Sequence, residues 1–360
     1  MNAELQARSS RFNLFPASEY DNYVAGHPEA TPYHSSAWLQ AAESSYGHPG
    51  WLVTVNRNGH LCGVLPLLEV KRPFGAKSLV SLPFCDLGGV LADNEEIKEW
   101  LIAEAWVLAD EKRINTLEIR EGGSVVEGPQ QSLPVGTKVR MLCDLPDTSE
   151  ALFKSYKPKL RSQIRKAEKN GLRAELRTDA DAVNLFYQVF TRNMRRLGSP
   201  VHSAQWFQEL KAAYGDSLLV GLVFHNGQPV AAGIVLLAGK EACIPWASTL
   251  EAFNRLAPNM LLYWTLLSHV CDAGCSRFDF GRSTIGEGTY RFKKQWGAEP
   301  HGLNWAEYRG GITTPAVVSD GGNNAAIASR LRPFIEGAWR QLPLPIANWL
   351  GPKLRRYITL

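Results

Sequence analysis

Residues 31–59 read TPYHSSAWLQAAESSYGHPGWLVTVNRNG, and residues 199–227 read SPVHSAQWFQELKAAYGDSLLVGLVFHNG. They align without a gap at an offset of 168, with ten identical pairs: Pro32/Pro200, His34/His202, Ser35/Ser203, Trp38/Trp206, Gln40/Gln208, Tyr46/Tyr214, Gly47/Gly215, Val55/Val223, Asn58/Asn226 and Gly59/Gly227. Shared Trp and Tyr-Gly positions are too rare to expect by chance, so the chain contains a duplicated unit.

Both copies imply the same local structure. Ser35 and Ser203 are placed to N-cap a short helix that carries the tryptophan, and Tyr-Gly ends it with glycine in the left-handed position. An apolar strand, an Asn-Gly turn of type I′ and a second strand follow. Downstream, residues 95–113 and 256–274 read as helices leading to strands at 114–120 and 277–282. Each half is therefore helix, hairpin, helix, strand: a mixed α/β (α+β) unit with a mostly antiparallel sheet flanked by helices. The Gly- and Pro-marked stretch 121–146 reads as a crossover between the halves. The expected domains are 1–146 and 147–310, with a Gly-rich linker at 311–322 and a helical tail at 323–360. The paired histidines read as two copies of a packing contact rather than as two active sites.

The 360 residues are 45% apolar and 21% charged, which excludes disorder and collagen-like repetition and leaves ample material for a core. No apolar h-region follows the N-terminus, so no secretory signal is expected. The longest apolar run, residues 260–267, stops far short of the ~20 residues needed to span a bilayer. Six scattered cysteines point to reduced thiols and a cytoplasmic setting. The net charge of +4 hides a strong asymmetry. Residues 150–177 carry nine basic and three acidic side chains, and the tail from Asn323 carries six basic residues against Glu336, so the remainder is acidic.

The first basic segment contains KPKLRSQIRKAEKNGL (157–172). Pro158 suits a first helical turn and Gly171 a C-terminal cap, and Arg161, Arg165 and Lys169 then line one face at spacings of four. With Glu168 as the one acid in it, this helix lacks ion-pair support, and an anionic phosphate is the simplest partner for it. The second motif is FDFGRSTIGEGTYRFKKQWGAEP (278–300). A strand delivers Asp279 and Arg282 into a stretch rich in glycine and hydroxyls, followed by Lys293 and Lys294 between aromatic anchors and read as a strand. Without a Lys-Ser/Thr pair after its second glycine, GRSTIGEGT is not a Walker-type phosphate loop, and neither a G-x-S-x-G elbow nor a Rossmann fingerprint occurs. His269, Cys271 and Cys275 lack a fourth ligand nearby, so no metal is expected.

LRSQIRKAEKNGL (160–172), LGSPVHS (197–203), FDFGRS (278–283) and YRFKKQWG (290–297) together resemble the Fem family, the FemAB-like aminoacyl-tRNA-dependent peptidyltransferases, in particular its branch associated with exopolysaccharide and exosortase clusters. The resemblance covers about residues 31–308. It implies two tandem GNAT-like domains, which agrees with the duplication. It further implies an N-acyltransferase of the cell envelope acting on a peptidoglycan or exopolysaccharide precursor. Aminoacyl-tRNA or acyl-CoA would be the co-substrate, with no tightly bound cofactor.

In that light Lys293 is expected to stabilise the tetrahedral oxyanion, and Asp279, Glu287 or the donor itself to take a proton from the attacking amine. Arg161, Arg165, Lys169, Arg282, Ser283, Thr284, Tyr290 and Lys294 are expected to hold the phosphate-bearing substrate, tRNA included. Two alternatives stand beside the aminoacyl reading: an acyl-CoA-dependent enzyme on the same core, and a non-catalytic scaffold at the membrane. The tail mixes Trp339, Leu344, Ile346, Trp349 and Leu350 with Arg340, Lys353, Arg355 and Arg356. It reads either as packed on the parent domain or as a peripheral contact with the inner face of the membrane.

Overall fold

The structure is a computed structural model that describes residues 5–71, 75–125, 134–309, 312–315 and 325–359. The chain divides into two compact units: Met1–Gly123 with Leu303–Asp320 and Tyr357–Leu360, and Ser124–Gly302 with Gly321–Arg356.

In the first unit the strands Leu5–Arg11, Gly50–Arg57, His60–Lys71 and Lys77–Val80 follow one another antiparallel. Thr116–Val125 then joins parallel, with Leu79 opposite Leu117 and Val80 opposite Glu118. The helix Glu95–Glu111 starts where the Asn94 carboxamide oxygen accepts the Ile97 N–H at 3.0 Å, and Glu95 and Glu96 favour its N-terminal dipole. Its buried stripe of Ile97, Leu101, Ala105 and Leu108 packs on Val53, Val55, Leu65 and Leu67 of the hairpin.

In the second unit the order is Lys138–Asp144, Arg277–Thr284, Glu241–Thr249, Gln228–Ala238, Leu218–His225 and Leu172–Arg177. All neighbours are antiparallel except Glu241–Thr249 with Arg277–Thr284. The helices Pro158–Lys169 and Pro258–Asp272 share one core with one face of this sheet, and Ala180–Leu197 packs on the same strands from the other face. Gly221 lets the helix Pro258–Asp272 pack this closely: a Cβ there would lie 2.9 Å from a Leu266 methyl carbon.

The duplication is carried by identical residues in identical roles. Ser35 and Ser203 accept N–H bonds in the first turns of Ser36–Tyr46 and Ala204–Tyr214. Trp38 and Trp206 are fully buried. Tyr20 donates to the His34 carbonyl at 2.6 Å, and Tyr187 to the His202 carbonyl at 3.0 Å. Asn58-Gly59 and Asn226-Gly227 form both hairpin turns with positive φ at every position (52°, 83°, 49° and 78°). Gly47 is a left-handed helix cap as expected, but Gly215 has φ 55° and ψ −131° and opens the 3-10 turn Gly215–Ser217 instead.

Three further expectations are corrected. The segment expected as a crossover contributes the whole strand Lys138–Asp144 to the second sheet. Residues 293 and 294 lie on a helix, Gly288–Gln295, because Phe292 and Trp296 turn inward one helical turn apart and Gly297, at φ 90°, stops it. The Gly-rich stretch after Asp279 is strand as far as Thr284, leaving only Ile285–Glu287 as a turn. Of the expected linker, Ile312–Pro315 form a strand paired with Glu299–Arg309, and the rest lies outside the described residues. The C-terminal end is helical, as Ala325–Gln341 and Leu344–Arg355.

Candidate active site

The basic helix runs from Pro158 to Lys169, with Asn170 as cap and Gly171 at φ 74°. Leu160, Ile164 and Ala167 are buried against the core, which turns Arg161, Arg165, Lys166 and Lys169 outward. These four, with Pro158 and Ser162, line an open concavity of about 490 Å³. Among the described residues none of the four cations is paired with a carboxylate, while the Arg165 guanidinium sits 5.3 Å from the centre of the Phe153 ring. The helix is anchored at its far end by Asn170, whose side chain donates to the Leu256 carbonyl at 3.0 Å, just ahead of the helix Pro258–Asp272.

The second part of the site grows from a defect in the sheet. Glu241–Thr249 and Arg277–Thr284 are in register over only three pairs, from Glu241/Arg277 to Cys243/Asp279, and both strands then run on without pairing to each other. On its other side Arg277–Thr284 pairs with Lys138–Asp144, but the register shifts between Asp279 and Arg282. Parallel strands that part in this way leave main-chain N–H and C=O groups open to a ligand.

Asp279 and Lys293 hold this bulge from two sides. Asp279 is 3% exposed, and its two oxygens accept from Arg140 Nε at 2.8 Å and from the Gly281 N–H at 2.7 Å. Gly281, at φ 72°, supplies the backbone turn. Lys293, 9% exposed, donates from Nζ to the carbonyls of Arg282 at 2.7 Å and Gly281 at 3.2 Å. Burial pushes the neighbouring Glu241 carboxyl above its ordinary range despite Arg140 and Arg277 beside it.

The remaining expected residues fall around this centre. Ser283 is buried, and its hydroxyl has no hydrogen-bond partner among the described residues. The Thr284 hydroxyl accepts from Lys138 Nζ at 2.9 Å. Glu287 is exposed at the N-cap of the helix Gly288–Gln295, and Tyr290 is half-buried. Lys294 is exposed, with Nζ 5.9 Å from the Tyr290 ring centre. Strand, bulge and helix thus gather Asp279, Arg282, Ser283, Thr284 and Lys293, while Arg161, Arg165 and Lys169 form the separate cationic concavity. Both parts rest on one helix: Tyr263 of Pro258–Asp272 meets Phe280, Phe292 and Trp296, and the same core takes in Leu160 and Ile164.

The sequence alone did not disclose Arg140 and Lys138. Both act through cross-strand contacts more than a hundred residues away, and no local pattern marks them. Among the described residues no group of three or more His, Cys, Asp or Glu could hold a metal ion, and all six cysteines are buried free thiols.

Residues 154–294, which hold both the basic helix and Lys293, match the acetyltransferase (GNAT) domain family. The crystal structure of FemX shares the architecture at a TM-score of 0.68 and 16% identity, over 84% of this chain and 98% of that one. In sequence, the chain is 24% identical over 242 residues to the lipid II:glycine glycyltransferase of Staphylococcus epidermidis, covering 59% of this chain and 55% of that protein. The chain is thus similar in sequence to Fem-type transferases and shares a GNAT-like fold. A further relative is the UDP-N-acetylmuramoylpentapeptide-lysine N(6)-alanyltransferase of Weissella viridescens, 22% identical over 152 residues, which are 40% of this chain and 44% of that protein. The chain therefore spans about half the length of these two transferases.

Proposed function

We propose that the protein is an N-acyltransferase that moves an aminoacyl group from aminoacyl-tRNA to an amine of a cell-envelope glycan or lipid-linked precursor, on the cytoplasmic side of the membrane. The observation that carries this reading is the cationic helix. Four basic side chains unpaired with acids surround an open concavity of about 490 Å³ in the same unit as the parted strands. Such a surface suits the phosphates of a large anionic substrate. The names of the two transferase relatives supply the reaction class.

In this reading the acceptor amine attacks the activated carbonyl, the C–N bond forms, and the ester bond to the donor breaks after a tetrahedral oxyanion. Lys293, buried beside the bulge, and the Gly286 amide are the candidate donors to that oxygen, since the Ile285 and Glu287 amides already donate to the carbonyls of Thr137 and Thr284. Asp279 has both oxygens occupied, by Arg140 and by the Gly281 amide, so it serves the site by fixing the bulge. The proton of the amine then goes to exposed Glu287 or to the donor itself. The GNAT domain match favours a second reading, with acyl-CoA as donor on the same core.

The test is a transfer assay of the purified chain with labelled aminoacyl-tRNA or acyl-CoA and an amine-bearing peptidoglycan precursor. Transfer from the charged tRNA supports the first reading, and transfer from acyl-CoA alone replaces it with the second. An absence of turnover with either donor leaves a scaffold.

A further inference from the structure

We propose that the two C-terminal helices form a docking surface for an anionic lipid bilayer. This goes beyond the acyl-transfer reading and does not depend on its donor or acceptor. Of the twelve large apolar side chains exposed among the described residues, seven fall between Phe334 and Ile358. On the two helices these are Phe334 (78% exposed), Ile335 (60%), Ile346 (47%), Trp349 (64%) and Leu354 (40%).

Their exposure does not come from a loose tail. Trp339, Ala347 and Gly351 are buried, and Arg355 reaches His202. Gly198 and Gly351 let the helices approach so closely that a Cβ at either would lie under 3.0 Å from the backbone of Glu336 or Val201. The helices are thus held by one side, and Phe334, Ile346 and Trp349 lie on the other, with Ile335 and Leu354 at its flanks, three or four residues from buried Trp339 and Gly351. On the second helix Ile346, Trp349 and Lys353 recur at spacings of three and four, which places them on one face, and Arg356 follows three residues later.

Charge selects the occupant. From Asn323 onward there are six basic residues and one acid, Glu336, which is itself within 3.6 Å of Arg340. Lys353 Nζ lies 3.3 Å from the Trp349 ring centre, so an ammonium and an indole are presented together. Indoles favour the bilayer interface, and each basic residue near an anionic surface adds to the attraction. Neither helix is long and apolar enough to cross a membrane, and Pro333 and Pro352 lie within them, which suits short segments lying in the interface plane. A protein partner would need an acidic face fitted to two separate helices, whereas a lipid surface conforms to them.

Flotation of the full chain with phosphatidylcholine vesicles, with and without phosphatidylglycerol, tests this. Binding is expected with phosphatidylglycerol, falling as salt is raised, and little with phosphatidylcholine alone. The double variant Ile346→Ser, Trp349→Ser, whose sites are exposed and tolerate polarity, should bind about tenfold or more weakly. Lys353→Glu should weaken binding only to the anionic vesicles. Trp100→Ser, on the exposed side of Glu95–Glu111, should change nothing. Failure of the wild type to float, or equal flotation of the double variant, overturns the proposal. So does a wild-type dimer in light scattering that the double variant dissociates without lipid binding, which would make the surface a contact between copies.

Discussion

Arg355 Nε donates to Nε2 of His202 at 3.0 Å, which fixes the buried imidazole as the neutral tautomer with its proton on Nδ1. The counterpart, His34, instead accepts the Thr31 N–H at Nδ1 and closes a capping box. Both duplicated histidines are thus structural, and one of them has become the latch of the C-terminal helix.

That latch sets a pH dependence. Burial first, and the Arg355 charge second, hold His202 well below its ordinary pKa. The unfolded chain takes up a proton near pH 6.5 while the folded chain does not, so this contribution is complete above about pH 6.5 and is lost as pH falls below it. His202→Gln keeps an acceptor but cannot titrate. Thermal midpoints measured from neutral to mildly acidic pH should therefore fall more steeply for the wild type than for this variant. Parallel curves would refute the latch.

Gly351 gives a prediction in which packing opposes propensity. Alanine is the better helix former by about 1 kcal/mol. Here, however, its Cβ would stand 2.9 Å from the main-chain nitrogen of Val201. Gly351→Ala should therefore lower stability by about 1–3 kcal/mol in chemical denaturation. A gain would mean that the tail does not pack this closely.

The duplication was legible because the shared residues do local work: a serine caps a helix, Asn-Gly turns a hairpin, a tryptophan fills the space beneath. What was illegible is long-range. Arg140 reaches its partner Asp279 across 139 residues, from a strand whose flanking Gly and Pro residues look like a connection. The helix bearing Lys293 has only eight residues, too few for a periodic signal, and neither its start nor its stop differs from that of a strand end. Gly198 caps the helix Ala180–Leu197 at φ 79°, and its second task, admitting the backbone of Glu336, depends on a segment far along the chain.

Arg140 and Asp279 form a buried pair, with side chains 12% and 5% exposed. Arg140→Met leaves the carboxylate without its cation, and a loss of about 3–5 kcal/mol is expected in urea titration. Adding Asp279→Asn should return part of it, because the neutral amide no longer needs a counter-charge while its oxygen still accepts the Gly281 N–H. Additive losses would show that the two residues act apart.

The basic helix should separate binding from folding. Arg161 and Arg165 make no ion pair among the described residues, so Arg161→Gln with Arg165→Gln should shift stability by no more than about 0.5 kcal/mol. The same pair of changes should weaken binding of a phosphate-bearing substrate and flatten its salt dependence. Unchanged affinity at low salt would remove these side chains from the site.

Lys293 and Lys294 are neighbours on one helix, one buried and bonded to two carbonyls, the other exposed. Successive helical residues point about 100° apart, so one side chain can enter the site while the next stays in solvent. Lys293→Met should therefore do two things that Lys294→Met does not. It orphans the carbonyls of Gly281 and Arg282, costing about 1–3 kcal/mol in stability. It also removes a cation from the reacting oxygen, lowering kcat about 100-fold or more with KM little changed. The two effects are separable, because a purely structural loss is recovered by assaying well below the melting temperature and a lost oxyanion contact is not. If kcat survives and only the melting temperature falls, Lys293 is a clamp on the bulge, and the charge of the transition state rests on a main-chain amide such as that of Gly286. Equal losses from both lysines would remove the distinction on which the assignment stands.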